Sequence, residues 1–310
     1  MLFREKIASA HPFWKGMLWL GLMVVCFIVL MVGLGVYIGL TGNQSVMQLR
    51  IEMLLQTFVL FGLPALLVVA LWSNRPAEWL HLRTSGGWLP CLLAFLLMVV
   101  AQPGINLLAK WNESWQLPAF LASFEEMLKQ MEDAAREATE LLAQAPTFGI
   151  MLFNLVVMAL LPALCEELSF RGVLLGLLDG NKRHGASPSL SRRTHLAIWA
   201  TGIIFSLIHF QFYGFVPRML LGVVLGYLLA WTGSLWVPVI AHFANNAFVV
   251  VLYFLEEHTQ INADSVDSFG TGTTAWVGVV SLVAACAILW LVRSVVLKRS
   301  SAPRQAAPEE

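Results

Sequence analysis

Long runs of apolar residues alternate along the chain with short polar connections. We interpret eight of these runs as transmembrane helices: residues 16–40, 51–72, 88–109, 147–178, 196–212, 217–231, 235–255 and 274–295. The apolar positions are continuous within each run, which is typical of helices that are apolar on every side. The pattern therefore predicts an all-α, polytopic transmembrane bundle of about eight helices, in which the run at 217–231 is the shortest.

One connection has a different pattern. Between residues 123 and 144, apolar side chains such as Phe124, Met127 and Met131 recur at helical spacing opposite a face rich in glutamate. This spacing predicts an amphipathic helix outside the bilayer. We favour a helix that caps the bundle or lies on the membrane surface over one that gates a substrate.

Composition supports an integral membrane protein. Hydrophobic residues make up 58% of the 310 residues and charged residues only 12%, which is too little charge to solvate a water-soluble domain of this size. The formal net charge is zero, so the composition does not indicate nucleic acid as a partner. We expect one integral membrane domain over residues 1–300 and a disordered tail, rich in Pro, Ala, Gln and Glu, over residues 301–310.

The charged connections predict the orientation of the chain. Basic residues collect at the N-terminus and at residues 75–83, 182–193 and 293–299, whereas acidic residues dominate 113–140 and 256–267. Eight spans with both termini in the cytoplasm place each basic group inside, as the positive-inside rule requires. The first run is too long for the core of a signal peptide, so we expect a retained helix in a multi-pass protein of the cell membrane.

The cysteines indicate no metal or disulfide chemistry. Cys26, Cys91, Cys165 and Cys286 lie within apolar runs and show no C-x-x-C spacing. We interpret them as small buried hydrophobic residues. Cys165 adjoins two glutamates, but no base precedes it at helical spacing, so we favour a structural role over a nucleophilic one.

Three charged residues interrupt the fourth apolar run, in the stretch LPALCEELSFRG. Charged groups inside a bilayer are costly unless they are paired or functional. Glu167 and Arg171 are four residues apart in the order that favours an ion pair on one helix face. Glu166 points about 100° away around the helix and needs another partner.

Two later runs supply polar partners for Glu166. Of the seven histidines, His209 and His242 are the two within apolar runs, and Asn246 follows His242 by one helical turn. Buried polar groups need hydrogen-bond partners, and the simplest arrangement has Glu166, His209, His242 and Asn246 facing one another. We expect this cluster in the inner half of the bilayer, with Pro162 kinking the fourth helix just before the glutamates.

These residues form three motifs. EELSFR fits E-E-x-x-x-R, FSLIH fits F-x-x-x-H, and HFANN fits H-x-x-x-N, in that order on successive helices. The sequence therefore resembles the CPBP family of intramembrane proteases, which includes the type II CAAX prenyl endopeptidases and the bacteriocin-processing proteins. The resemblance covers residues 147–255. It implies a catalytic centre of Glu166, His209, His242 and Asn246, with Glu167 and Arg171 as supporting residues.

Peptide hydrolysis needs an activated water and a group that stabilises the oxyanion. We expect Glu166, assisted by His209, to take a proton from the water, and His242 and Asn246 to donate hydrogen bonds to the oxyanion. Glu167 and Arg171 lock the helix, or Arg171 helps to hold a substrate carboxylate. A zinc ion held by Glu166, His209 and His242 is the alternative; we favour the metal-free mechanism.

The sequence leaves other functions open. A non-catalytic membrane scaffold or immunity-type protein could keep the same polar network for binding, and a small transporter could use it as a pathway. We expect the partners to be the lipid bilayer and a membrane-associated protein or peptide substrate. CAAX-type prenylated proteins, bacteriocin or pheromone precursors and other membrane proteins are all candidate substrates.

Overall fold

The computed structural model describes residues 2–42, 45–180, 190–262, 265–266 and 268–301, and the regular structure of these residues is helical. The helices are α1 (Leu2–Ser9), α2 (Pro12–Thr41), α3 (Val46–Trp72), α4 (Pro76–Trp79), α5 (Trp88–Glu113), α6 (Ala122–Ala143), α7 (Phe148–Asp179), α8 (Arg192–Leu207), α9 (Phe215–Thr232), α10 (Trp236–His258) and α11 (Ala275–Ser301). Short 3₁₀ turns at Ala119–Leu121 and Gly272–Thr274 precede α6 and α11.

Seven helical segments are long and apolar enough to cross a membrane. They are Pro12–Thr41, Val46–Trp72, Trp88–Glu113, Phe148–Asp179, Phe215–Thr232, Trp236–His258 and Gly272–Lys298. Each coincides with one of the eight predicted runs. The prediction of an all-α, polytopic transmembrane bundle is therefore confirmed.

The run at residues 196–212 is the exception. Helix α8 has 16 residues and ends at Leu207, so it rises about 24 Å and is shorter than a hydrocarbon core of about 30 Å. It packs along α9, where Gly202 and Gly222 bring the two backbones together: a Cβ built on Gly222 would lie 2.9 Å from the Cα of Gly202. The run at 217–231, the shortest predicted, belongs to an 18-residue helix that meets the length of a span.

The predicted orientation of the termini and the single-domain organisation stay predictions. Two of the basic residues that support the orientation, Lys182 and Arg183, lie outside the described residues, and so do residues 302–310 of the predicted disordered tail.

Two of the long helices contain wide turns of π-helix next to a proline. In α3 the wide turn is Phe58–Gly62, just before Pro64, and in α7 it is Leu155–Leu160, just before Pro162. Proline lacks the N–H that an α-helix needs, so departure from α geometry at these points has a direct cause. A second π segment of α7 follows the glutamates, at Leu168–Leu175.

The wide turn of α3 lies against the α-helical segment of α7 between its two π segments. A Cβ on Gly62 would lie 2.8 Å from the sulfur of Cys165, so glycine is needed for this approach. Cys165 is buried against the opposite backbone, and all four cysteines are free thiols. The structural interpretation of Cys165 therefore agrees with its position, whereas Cys286 is exposed on the side of α11.

The amphipathic helix α6 confirms the predicted helix over residues 123–144 to within one residue at each end. Its C-terminal end is tied to the bundle by Arg50 of α3, whose guanidinium donates to the carbonyls of Leu142 at 3.2 Å and Gln144 at 2.5 Å. The side chain of Asn154 in α7 donates to the Ala143 carbonyl at 3.1 Å. These contacts favour the interpretation of α6 as a cap on one end of the bundle.

Candidate active site

A buried carboxylate joins a guanidinium and an imidazole at the centre of the bundle. Oε1 of Glu167 lies 2.7 Å from Nη1 of Arg171, as the four-residue spacing predicts, and 2.9 Å from Nδ1 of His242. All three side chains are almost completely buried. The ionised Glu167 carboxylate can only accept, so Nδ1 of His242 carries a proton and Nε2 faces the site.

The Arg171 guanidinium is enclosed on all sides. Nη2 donates to the carbonyl of Gly222 at 2.9 Å, and the guanidinium carbon lies 4.7 Å from the centre of the Phe205 ring. The side chain has no exposed surface. Arg171 therefore holds α7 against α8 and α9, and it is not positioned to bind a substrate carboxylate, which corrects that part of the expectation.

Glu166 lies on the other side of His242. Its Oε2 is 3.9 Å from Nε2 of His242, beyond direct hydrogen-bond distance, and its side chain is 12% exposed. In the part of the chain that the structure describes, the Glu166 side chain accepts no hydrogen bond. Sequence spacing predicted that Glu166 and Glu167 point to different partners, and both in fact flank the same imidazole.

The charged groups of the site are two carboxylates and two guanidiniums. Glu166 and Glu167 supply the carboxylates, Arg171 pairs directly with Glu167, and the charge of Arg218 in α9 also acts on Glu166. Because uncompensated charge is costly in a buried site, this balance of opposite charges favours the cluster.

His209 is linked to this cluster through an aromatic ring. Its Nδ1 donates to the carbonyl of Phe205 at 2.7 Å, which leaves Nε2 free. The Phe205 ring lies 5.0 Å from the His209 ring and 6.0 Å from the His242 ring. The two histidines therefore share one aromatic neighbour, although no hydrogen bond joins His209 to Glu166 or His242 among the described residues.

Asn246 lies one turn after His242 in α10. Its amide oxygen accepts a hydrogen bond from Nδ2 of Asn245 at 3.2 Å. Within the described ranges, no hydrogen bond connects Asn246 with Glu166, His209 or His242. The structure thus brings Glu166, Glu167, Arg171 and His242 into one cluster, with His209 adjacent and Asn246 on the same side of α10 as His242.

The loop that follows His209 is held from two sides. The side chain of Asn112 donates to the Phe212 carbonyl at 3.2 Å and accepts from the Val216 N–H at 2.7 Å. From α6, Glu132 accepts from the Tyr213 N–H at 3.2 Å and Glu125 accepts from the Tyr213 hydroxyl at 3.1 Å. The amphipathic cap therefore fixes the loop beside His209.

Burial and hydrogen bonding act in opposite directions on Glu132. Partial burial of the Glu132 side chain raises the pKa of its carboxyl above the ordinary value, while the hydrogen bond from the Tyr213 N–H lowers this pKa. Burial is the larger effect, so the Glu132 carboxyl takes up a proton at a higher pH than an exposed glutamate does. As the pH falls, we therefore expect the contact between α6 and the loop to weaken at this higher pH.

The residues do not form a complete metal site. Among the described residues, no group of three His, Cys, Asp or Glu side chains is placed to hold a metal ion. Glu166 and His242 could supply two ligands, since the hydrogen bond from Nδ1 of His242 to Glu167 leaves Nε2 of His242 toward Glu166. In the described part of the chain, His209 is not grouped with them as a third ligand, so the expected set of Glu166, His209 and His242 is not assembled as a zinc site.

Family comparison bears directly on this cluster. Residues 148–248 match the family model described as type II CAAX prenyl endopeptidase Rce1-like. This segment is similar to the Rce1-like family. The Rce1-like segment contains Glu166, Glu167, Arg171, His209, His242 and Asn246, and it runs from the start of α7 into α10.

A bacterial relative matches over a similar length. The chain is 31% identical over 98 residues to the uncharacterized protein YpbD of Bacillus subtilis (strain 168). The alignment covers 30% of this chain and 42% of the length of YpbD, so the chain spans less than half of that relative. No solved structure matches the chain. The match to the Rce1-like family model therefore lies on α7–α10, and α1–α6 and α11 lie outside it.

Two functional neighbours were missed from the sequence. The sequence predicted only an ion pair with Arg171 for Glu167, although Glu167 also orients His242. Phe205 was part of the F-x-x-x-H motif, but no role was predicted for it. The signal for Phe205 was present in the F-x-x-x-H motif, because the apolar run predicts a helix there and residues four apart in a helix lie on the same face. No sequence signal indicated which glutamate takes the short contact with His242.

Proposed function

We propose that this chain is an intramembrane endopeptidase that hydrolyses a peptide bond in a membrane-associated substrate. The observation that carries the proposal is the 3.9 Å separation of Glu166 Oε2 and His242 Nε2 inside an Rce1-like segment. A gap of this size allows one water molecule to bind both groups, with its oxygen beside a partly exposed carboxylate.

The first step uses Glu166 as the base. The water donates one hydrogen bond to Glu166 and accepts another from Nε2–H of His242, so the proposed step requires a proton on both ring nitrogens of His242. As the water oxygen bonds to the substrate carbonyl carbon, its proton passes to Glu166 and the carbonyl oxygen becomes an oxyanion.

The second step needs hydrogen-bond donors and a proton for the leaving group. Nε2–H of His242 and the amide NH₂ of Asn246 donate to the oxyanion, which then collapses as the C–N bond breaks. Protonated Glu166 gives its proton to the departing amine. Glu167 keeps His242 in its orientation throughout, and we assign His209, through its free Nε2, to assist Glu166 in holding the water.

The family description supports one class of substrate as the first to test. CAAX sequences carry a prenylated cysteine and lie at the membrane surface, where a polar site within a helix bundle can reach them. We propose a CAAX-type, lipid-modified peptide as the first substrate to test, with bacteriocin-like precursors as the second class.

The proposed mechanism requires no metal. We expect cleavage by the purified chain to continue after exhaustive treatment with EDTA and 1,10-phenanthroline, with no zinc detected by mass spectrometry. Loss of cleavage that added zinc restores would contradict the metal-free mechanism and favour zinc at Glu166 and His242 with ligands from elsewhere.

Replacement of the base tests the activity itself. Glu166→Gln keeps the size of the side chain and removes the proton acceptor, so we expect cleavage to fall by a factor of about 10² to 10⁴. The measurement compares membrane proteomes of cells that carry the wild-type chain or Glu166→Gln, and it scores precursors that accumulate in the variant. Identical proteomes, with both proteins inserted at equal levels, would favour the non-catalytic scaffold.

A further inference from the structure

A chain of three side-chain amides ends at Asn246. Nε2 of Gln102 in α5 donates to the Met98 carbonyl at 3.1 Å and to Oδ1 of Asn245 at 3.4 Å. Nδ2 of Asn245 donates in turn to Oδ1 of Asn246 at 3.2 Å. The three amides thus connect α5 to the catalytic face of α10.

The direction of this chain is set at its first member. A backbone carbonyl can only accept hydrogen bonds, so the Met98 carbonyl requires the NH₂ end of Gln102 at that point. The same NH₂ group then requires the oxygen of Asn245, which turns the NH₂ of Asn245 toward Asn246. Asn246 must present its oxygen to Asn245, and its own NH₂ group is left to donate elsewhere.

The orientation of Asn246 matters because an amide has two opposite ends. With the NH₂ group toward the site, Asn246 can stabilise an oxyanion; with the oxygen toward the site, it would repel one. Within a bilayer little water is available to reorient the group, so its neighbours determine which end faces the substrate.

We propose that Gln102 and Asn245 are positioning residues that fix the Asn246 amide with its NH₂ group directed at the reacting carbonyl. This inference rests on the proposed function. Gln102 lies in α5, outside the Rce1-like segment 148–248. The relay, as we call the chain of Gln102, Asn245 and Asn246, therefore gives a helix without family motifs a defined part in the site. Asn245 lies inside the H-x-x-x-N motif, one residue before its asparagine, Asn246.

The test is a double-mutant cycle on the full chain in lipid nanodiscs. The probe is an S-farnesyl peptide that ends in Cys-Val-Ile-Met, and its cleavage is followed by mass spectrometry to give kcat and KM. We expect Asn246→Ala to lower kcat by about 10²-fold, which is typical for loss of one oxyanion donor. Gln102→Leu should lower kcat by about 10-fold with KM unchanged, because the relay acts on the transition state.

The decisive variant combines the two changes. If Gln102 acts through Asn246, then adding Gln102→Leu to Asn246→Ala leaves kcat where Asn246→Ala alone puts it. Gln102→Met is the matched control for packing: it keeps the length of the side chain and removes both amide N–H donors, so its kcat should fall about as far as that of Gln102→Leu. Thermal unfolding of each purified variant shows whether the protein still folds.

Three results would overturn the relay. Gln102→Met that cleaves at the wild-type rate contradicts it. Losses that multiply in the double variant also contradict it, because a structural role of Gln102 would act independently of Asn246. A wild-type chain that cleaves neither this peptide nor any cellular precursor overturns the proposed function, and with it the role of the relay. That result differs from one in which the wild-type chain cleaves the peptide and the changes at Gln102 have no effect, which would overturn the relay alone.

Discussion

Helices α2 and α10 are both long enough to span a bilayer, but they differ in what surrounds them. The most apolar 18-residue window of α2 has a mean hydropathy of 2.8 and is 6% buried, whereas that of α10 has a mean hydropathy of 1.7 and is 50% buried. The more apolar helix is therefore the less buried one. Inside lipid, apolar surface gains little from contact with another helix.

Small and polar residues decide burial instead. Helix α10 carries His242 and the Asn245–Asn246 pair, and its neighbours α8 and α9 approach each other at glycines. Helix α2 also contains glycines, but a Cβ on Gly21, Gly33, Gly35 or Gly39 would meet no atom within 4 Å. The same residue type thus permits close packing in α8–α9 and faces open space in α2.

The largest expected effect separates the two glutamates of α7. Glu167→Gln leaves Arg171 buried without its anionic partner, and loss of one member of a buried pair costs about 3–5 kcal/mol. We expect the free energy of unfolding in detergent, measured by steric trapping, to fall by that amount. Glu166→Gln, one residue away, is the matched control and should change it by no more than about 1 kcal/mol.

The double variant Glu167→Gln/Arg171→Met sharpens this result. Removal of both charges should recover part of the lost stability, since no uncompensated charge remains. Equal losses for Glu166→Gln and Glu167→Gln would contradict the assignment of Glu167 as the structural partner of Arg171.

A medium effect is expected at the contact between α8 and α9. Gly222→Ala places a methyl group 2.9 Å from the Cα of Gly202 and 3.4 Å from Nη2 of Arg171. Backbone on one side and a buried guanidinium on the other leave little room, so we expect a loss of about 1–3 kcal/mol. An unchanged midpoint of thermal unfolding would show that these helices are farther apart than described.

The smallest effect, with the opposite sign, is expected in α2. Gly35→Ala meets no neighbouring atom and reduces the backbone freedom of the unfolded chain, so it should stabilise the protein by about 0.5 kcal/mol. The same measurement as for Gly222→Ala applies. A destabilisation of more than about 1 kcal/mol would mean that α2 packs on another surface, such as a second copy of the chain.

Much of the fold was predictable because hydropathy depends on local sequence. Seven of the predicted runs are span-length helices, and the amphipathic helix was placed within one residue at both ends. The run at 196–212 was not predictable in this way. Ile208 and Phe210 extend the apolar pattern past Leu207, but the backbone leaves the helix there, and Phe210 adopts a φ of 53°.

The site was predictable as a set of residues but not as a set of contacts. Helical spacing gave the pair of Glu167 and Arg171, and the cost of burying polar groups predicted that His242 would meet a glutamate. Whether it meets Glu166 or Glu167 depends on how α7 is rotated against α10. That rotation arises from packing between α3, α7 and α9, including the approach of Gly62 to Cys165, and this information is not local.

The wide turns in α7 also bear on how the gene can change. A π-helical turn such as Leu155–Leu160 holds one residue more than an α-helical turn, so loss of one codon there would tighten the turn and preserve the faces on both sides. Loss of one codon between Pro162 and Cys165 would instead rotate one part of the helix by about 100° relative to the other. Natural deletions should therefore be tolerated very unequally within this single continuous helix.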